Sequence, residues 1–102
     1  MKFEGFNWDK GNSDKCTKHG LRREDIESFF LQEEIYVAPD LKHSSEEERF
    51  LAIGKGPKKM IVVAFTFRNR RGKRTIRPIS ARFMNKKEVQ RYEETFKKNK
   101  DK

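Results

Sequence analysis

The residues MIVVAFTFRNRRGKRTIRPISARF, 60–83, read as one long β-hairpin around which the rest of the chain can be placed. The first arm, MIVVAFTFR, is almost continuously apolar, the pattern of a central strand covered on both faces. NRRGK reads as a turn and RTIRPISARF as the returning strand. Pro78 has no N–H to donate, so it predicts an edge position or a bulge. The returning strand also carries Arg77, Ser80 and Arg82. Strand arginines are costly if buried and idle if exposed, unless something anionic meets them.

Upstream, ERFLAIGK reads as a strand joined to the hairpin by the turn GPKK. EIYVAPD is a short strand ending at Pro39, and LKHSSEEE is a polar loop. Downstream, NKKEVQRYEETFKK is a helix: Asn85 caps it, Glu88 occupies the capping-box position, and Val89, Tyr92 and Phe96 form the apolar stripe. The tail, residues 97–102, is expected to fray. At the N-terminus, KFEGFNW alternates as a short strand with an irregularity at Gly5. Asp9, Asn12 and Ser13 are N-cap types and Gly20 is a stop signal, so a helix is expected over about 13–19, or from somewhat earlier. A second short helix follows, with Ile26, Phe29 and Phe30 on one face. The order is β-α-α-β-β-β-β-α: an α+β domain, residues 1–102, with an antiparallel meander and helices on at least one face.

Centring the two turns on Pro57 and Arg71 pairs Arg49 with Phe65 and Phe65 with Arg77. Leu51, Ile53, Ile61, Val63 and Ile79 then share their face, and Ala52, Ala64, Pro78, Ser80 and Arg82 the other. A single bulge would exchange these faces. Ser80 and Arg82 share a face whatever the register, as do Arg77 and Ile79, so cations are expected on both sides of the last strand.

The chain has 102 residues, 33% hydrophobic and 40% charged, with nine phenylalanines and a net charge of +9. A domain this small has a thin core, and the basic surplus favours nucleic acid, an anionic membrane surface or an acidic protein. One cysteine, Cys16, excludes an internal disulfide and fits a reducing compartment. No apolar run is long enough to span a membrane and the N-terminus has no apolar signal region, so the cytoplasm is the expected location.

Arginines in this strand suit phosphate, since a planar guanidinium makes paired bonds to it and stays charged. Alternatively, they lie over the last helix and meet Glu88, Glu93 or Glu94. His19 and His43 are the two imidazoles available for acid–base work. A C-terminal helix cap for His19 and a solvated loop position for His43 are the plainer roles. Cys16 and His19 have a C-x-x-H spacing, with Asp40 and His43 as conceivable further ligands, but zinc sites usually show two such pairs. No Gly-rich phosphate loop, G-x-S-x-G or H-E-x-x-H occurs.

FNWDKGNSDKCTKHGL, HSSEEERFLAIGK, VVAFTFR and IRPISARFMNKKEVQRYE together resemble the BrnT family of ribonuclease toxins from bacterial toxin–antitoxin modules. The resemblance runs from about Phe3 to Glu94. It implies a RelE-like fold, endoribonuclease activity without a metal or other cofactor, and inhibition of translation. It also implies a cognate antitoxin of the ribbon-helix-helix, BrnA-like kind, binding in a higher-order complex and contacting operator DNA on the toxin's behalf. The family's signature positions fall on Trp8, Asp9, Lys18, His19, His43, Glu48, Arg49, Arg68, Ser80, Arg82 and Tyr92. One departure is GLRRED, where Arg22 replaces a usual N-cap serine and should loosen the second helix.

Such an enzyme orients the RNA 2′-hydroxyl, removes its proton and stabilises the phosphorane. Arg82, Ser80, His19, Lys18 and Arg49 are the catalytic candidates. Arg77, Arg68, His43, Glu48 and Tyr92 are the RNA-binding ones. Arg82 with Arg68 or Arg49 would hold the phosphate, Ser80 would donate to it or orient Arg82, His19 or His43 would move protons, and Lys18 would add charge. Arg68 lies at the far end of the strand from Arg82 in this register. The rival reading is a non-catalytic RNA-binding or antitoxin-binding protein, a degenerate toxin.

Overall fold

A computed structural model describes residues 1–100, with side chains through residue 95. The first helix, α1 (Lys10–Thr17), takes the earlier start that the N-cap residues allowed and ends two residues short of the expected His19. Asp9 is its N-cap: the Asp9 carboxylate accepts from the Asn12 N–H at 3.0 Å and Asn12 Oδ1 accepts from the Asp9 N–H at 2.7 Å. This reciprocal box satisfies two donors that the first turn leaves free. Gly20, at φ +94°, supplies the left-handed corner after the helix.

In α2 (Arg23–Phe30) the missing cap serine is offset by a different clamp. Asp25 accepts from the Arg22 N–H at 2.9 Å and pairs with its guanidinium at 3.0 Å. The Arg22 guanidinium lowers the Asp25 pKa below the usual carboxylate value. α2 buries Ile26, Phe29 and Phe30, the face expected from their spacing.

The sheet is an antiparallel meander of β1 (Tyr36–Pro39), β2 (Phe50–Lys55), β3 (Met60–Arg70) and β4 (Lys73–Phe83) in spatial order 1-2-3-4. A short 3₁₀ turn, Leu41–His43, interrupts the loop between β1 and β2. The N-terminal stretch joins the sheet through an isolated parallel bridge, Phe6 with Ile76, rather than a full strand. Its backbone bonds to Arg74 and Ile76 cover part of the outer edge of β4. α3 (Lys86–Lys100) follows, opened by the expected Asn85–Glu88 capping box at 2.9 and 3.0 Å. The stripe position Phe96 and the expectation of a frayed tail at 97–102 fall on side chains and end residues outside the described ones.

The register corrects the expected faces. β2 and β3 are joined by a four-residue loop, so Phe50, not Arg49, pairs with Phe65. β3 and β4 are joined by the two residues Arg71 and Gly72, at φ 55° and 79°, so Phe65 pairs with Pro78, not Arg77. Turns with two left-handed residues match the twist of the strands they join. Each hairpin is therefore displaced by one residue. Ile61, Val63, Phe65, Ala52, Pro78 and Ala81 share the face covered by α1 and α2, whereas Leu51 and Ile53 lie opposite. The core is Leu21, Ile26, Phe29 and Phe30 against Ile61, Val63, Phe65 and Ile76. Phe30 stacks edge-on against Phe65 with centroids 5.0 Å apart.

β3 is not buried on both faces as its apolar run suggested. Val62 and Ala64, with Leu51 and Ile53 beside them, are only half-buried. Both N-terminal helices pack on the same side. α3 meets the end of the other face, where Met60, Met84 and Val89 line a hollow of about 660 Å³. Between Ala64 and Phe65 the pairing slips: Ala64 faces Ser80 and Phe65 faces Pro78, leaving Ile79 as the extra residue of a β-bulge. This is the irregularity that Pro78 predicted. The Pro78 carbonyl, released from the ladder, accepts from the buried Asn12 side chain at 2.8 Å.

Candidate active site

The bulge sets the geometry of β4. Before it, Arg77 pairs with Thr66; after it, Ser80 pairs with Ala64 and Arg82 with Val62. Thr66, Ala64 and Val62 alternate along one face of β3, so Arg77, Ser80 and Arg82 all belong to the face that α1 and α2 leave open. The expectation of cations on both sides of β4 around Arg77 is corrected: the extra residue Ile79 brings an odd and an even position onto one face. Carried one residue past Phe50, the register sets Arg49 beside Thr66. Thr66 Oγ1 donates to the neighbouring Glu48 carbonyl at 2.7 Å. Arg49 and Arg77 thus flank Thr66, not Phe65.

At the C-terminal end of α1 the chain turns at Gly20. Lys18 and His19 project there and meet Ser80 and Arg82 from β4. With Lys15 and Ala81 they line a hollow of about 260 Å³. Four of the five catalytic candidates converge on it, and the sequence gives no direct sign that residues some sixty positions apart would meet.

Arg82 also realises the alternative role foreseen for it. Its guanidinium grips the Glu88 carboxylate with two bonds, 2.7 and 2.8 Å, and reaches the Phe83 carbonyl at 3.4 Å. Hydrogen bonds from Arg82 and then from the Asn85 N–H hold Glu88 down to about pKa 2. The Arg82 side chain is 49% exposed. A guanidinium has five N–H donors, so donors remain for a second anion.

The other candidates lie elsewhere. Arg49, just before β2, lies four positions and roughly 13 Å along the strand direction from Ile53, which is level with Arg82 but two strands over. Arg77 binds Asn7 Oδ1 at 2.7 Å and Asp9 Oδ2 at 2.8 Å. The Asn12 N–H and then Arg77 hold the Asp9 carboxyl below its usual pKa. Arg68 pairs with Glu47 at 3.3 Å. His43 Nδ1 lies 2.9 Å from Asp40 Oδ2 in the 3₁₀ turn, and Glu48 is exposed just before β2. Tyr92 lies one turn beyond Glu88 on α3 and does not line the hollow. Trp8 anchors α2: its indole N–H donates to Glu27 at 2.8 Å and Arg23 lies 5.1 Å from its ring centre.

Cys16 is fully buried and its thiol is raised to about pKa 11 by burial, which disfavours the thiolate a zinc site needs. Among the described residues no group of three or more His, Cys, Asp or Glu side chains is placed to hold a metal ion. Among them, too, no helix is long and apolar enough to cross a membrane.

Two contributions were missed. Lys15 joins the hollow through helical proximity to Lys18 and His19. The other had a visible signal: between Glu48 and Glu88 the sequence holds thirteen Lys or Arg and no acidic residue.

No curated protein matches the chain. The family model of the ribonuclease toxin BrnT, of type II toxin–antitoxin systems, matches residues 8–88, which span α1 through the Glu88 that grips Arg82. The protein therefore belongs to the BrnT family of ribonuclease toxins.

Proposed function

We propose that this BrnT-family toxin is a metal-independent endoribonuclease acting at the hollow between α1 and β4. The observation that carries this reading is the convergence of Lys18, His19, Ser80 and Arg82 on one hollow. In the reaction, the RNA 2′-oxygen attacks the adjacent phosphorus and the bond from phosphorus to the 5′-oxygen breaks. This leaves a 2′,3′-cyclic phosphate and a free 5′-hydroxyl. The 2′-hydroxyl proton passes to a base and the departing oxygen receives one from an acid. His19 is the imidazole at the hollow and fills one of these roles. Arg82 and Lys18 face the negative charge that builds on phosphorus, and Ser80 donates to a non-bridging oxygen. Arg49, Arg68 and Arg77 belong to flanking RNA rather than to the reacting phosphate.

The type II family supports an antitoxin partner, and in our reading that antitoxin is BrnA-like and of ribbon-helix-helix type, neutralises the toxin in a higher-order complex and carries the operator-DNA contacts. The cytoplasm, where transcripts and antitoxin meet, is the site of action. The Arg82–Glu88 pair favours a second reading, a non-catalytic binder of RNA or antitoxin.

One experiment separates the two. Purified protein is incubated with naked RNA in excess chelator, with and without the neighbouring gene's product. Cleavage with cyclic-phosphate ends, suppressed by that product and lost in Arg82→Ala, Ser80→Ala and His19→Ala, supports the enzyme. Folded variants that cut as well as the parent overturn the site, and binding without cleavage by the parent supports the binder.

A further inference from the structure

The β3–β4 hairpin is longer than the sheet that supports it. β2 pairs with β3 only from Met60 to Phe65, whereas β4 pairs with β3 out to Arg70. Residues beyond Phe67 and Ile76 thus form a ribbon of two strands, flanked on its outer edge only where the Glu4 N–H bonds the Arg74 carbonyl at 2.7 Å, and its end carries Arg68, Arg70, Arg71, Lys73 and Arg74, all exposed. Ribbons of two strands are marginal alone. This one is braced on its helix-facing side, where the Arg74 guanidinium lies 3.5 Å over the Phe67 ring centre, and at the turn, where Asn69 accepts from the Gly72 N–H at 3.0 Å. Arg68 is matched by Glu47. Among the described residues, Arg70, Arg71 and Lys73 have no carboxylate within ion-pairing distance. Three uncompensated cations on a braced, protruding turn repel one another at a cost that the fold itself does not recover.

Their direction matters. Arg70 pairs with Lys73, two pairs beyond Arg68 with Thr75 and four beyond Thr66 with Arg77, so Arg70 and Lys73 lie on the open face. Without the bulge at Ile79, Ser80 and Arg82 would fall on the opposite face. With it, Lys73, Arg77, Ser80 and Arg82 line one face of a single strand, from the ribbon tip to the hollow. Nine residues at about 3.3 Å each make this path about 30 Å long.

We infer that the hairpin ribbon is a phosphate-binding arm: Arg70, Arg71 and Lys73 hold the backbone of the RNA strand whose scissile phosphate lies at Arg82, several nucleotides away. The inference rests on the RNA-cleavage reading for its far end. The occupant is RNA because the tip cluster is followed on the same face by Arg77, paired with Asp9, and Arg82, paired with Glu88, an extended line that suits a chain of evenly spaced anions. The path also ends in the hollow. An acidic face of the antitoxin is the competing occupant.

The test uses the full chain and fluorescein-labelled 2′-O-methyl RNA, which lacks the attacking hydroxyl and so reports binding alone. One oligonucleotide spans only the hollow and a longer one reaches the ribbon tip. Fluorescence anisotropy compares the parent, the triple variant Arg70→Ala/Arg71→Ala/Lys73→Ala, and a triple variant of equal charge loss elsewhere, Lys10→Ala/Lys42→Ala/Lys58→Ala. The parent binds the longer RNA on the order of tenfold more tightly than the shorter. The ribbon variant loses this gain, and its log–log salt slope is shallower by about 2, three contacts at ~0.7 each. The control triple keeps the gain. An equal gain in the ribbon variant overturns the inference, as does a variant that has lost affinity for the purified antitoxin but not for the longer RNA. Failure of the cleavage reading shows separately: a parent that never cuts RNA but keeps the length-dependent gain leaves the arm in place.

Discussion

Replacing Glu88 with glutamine leaves a side chain that can still accept from the Asn85 N–H but removes the charge that Arg82 grips. The pair holds Glu88 at about pKa 2, against an ordinary value of 4.5. At ~1.4 kcal/mol per pH unit this is nominally ~3 kcal/mol. Solvent screens most of it, because the two side chains are 49% and 31% exposed, and the expected loss is about 1 kcal/mol. For a domain of this size that lowers the melting temperature by about 4–8 °C. The sign of the pH dependence follows from a depressed carboxylate. The stabilisation is complete above about pH 4.5 and disappears as pH falls through about 2. Urea unfolding of the parent and Glu88→Gln should therefore differ at pH 7 and converge near pH 2. The same substitution gives Arg82 an unopposed charge, so it should bind uncleavable RNA several-fold more tightly at low salt. A stability gap that persists unchanged at pH 2 would refute the ion-pair account. RNA binding weaker than in the parent would refute the idea that Glu88 and phosphate compete for Arg82.

Asn12→Ala removes the side chain that donates to the Asn7 and Pro78 carbonyls at 3.0 and 2.8 Å and closes the α1 capping box. Two carbonyls and a helix N-terminus lose partners at a buried position, and chemical denaturation should show a loss of about 2–4 kcal/mol. Gly56→Ala places a Cβ 2.5 Å from Ile61 Cγ2 and 2.8 Å from the Lys59 carbonyl. The β2–β3 turn must open to admit it, at a cost of about 1–3 kcal/mol in the same assay.

Element types were legible because they rest on local signals. The apolar spacing of α2, the Asn85–Glu88 box and the long apolar arm of β3 each involve residues within one or two turns of one another. Facing was not legible. In both hairpins the pairing was displaced by a single residue, and a period of two turns any such slip into an exchange of faces. The Arg71–Gly72 turn shows why: two left-handed residues and a five-residue turn are both compatible with NRRGK, yet they pair different partners. Statements confined to one side of the bulge survived, so Ser80 and Arg82 share a face as expected. Arg77 and Ile79 straddle the bulge. Lys18 and His19 were singled out for their chemistry, but only packing of α1 on β4 could bring them to Ser80.

The Arg82–Glu88 pair would disqualify Arg82 from catalysis in a buried site, since breaking a buried pair strands a charge at large cost. Here both partners reach water, so releasing Glu88 costs only about 1 kcal/mol. A substrate phosphodiester carries one negative charge, the same as Glu88, and gains little by displacing it. The phosphorane carries two, and its Coulombic attraction to the guanidinium is about twice as large at the same distance. In the proposed reaction releasing the carboxylate costs the same whichever state displaces it, so Glu88 lowers affinity uniformly, while the stronger pull of Arg82 on the phosphorane is the difference that raises a rate. Glu88→Gln should accordingly lower KM without raising kcat, in contrast to Arg82→Ala, which removes the charge from both states.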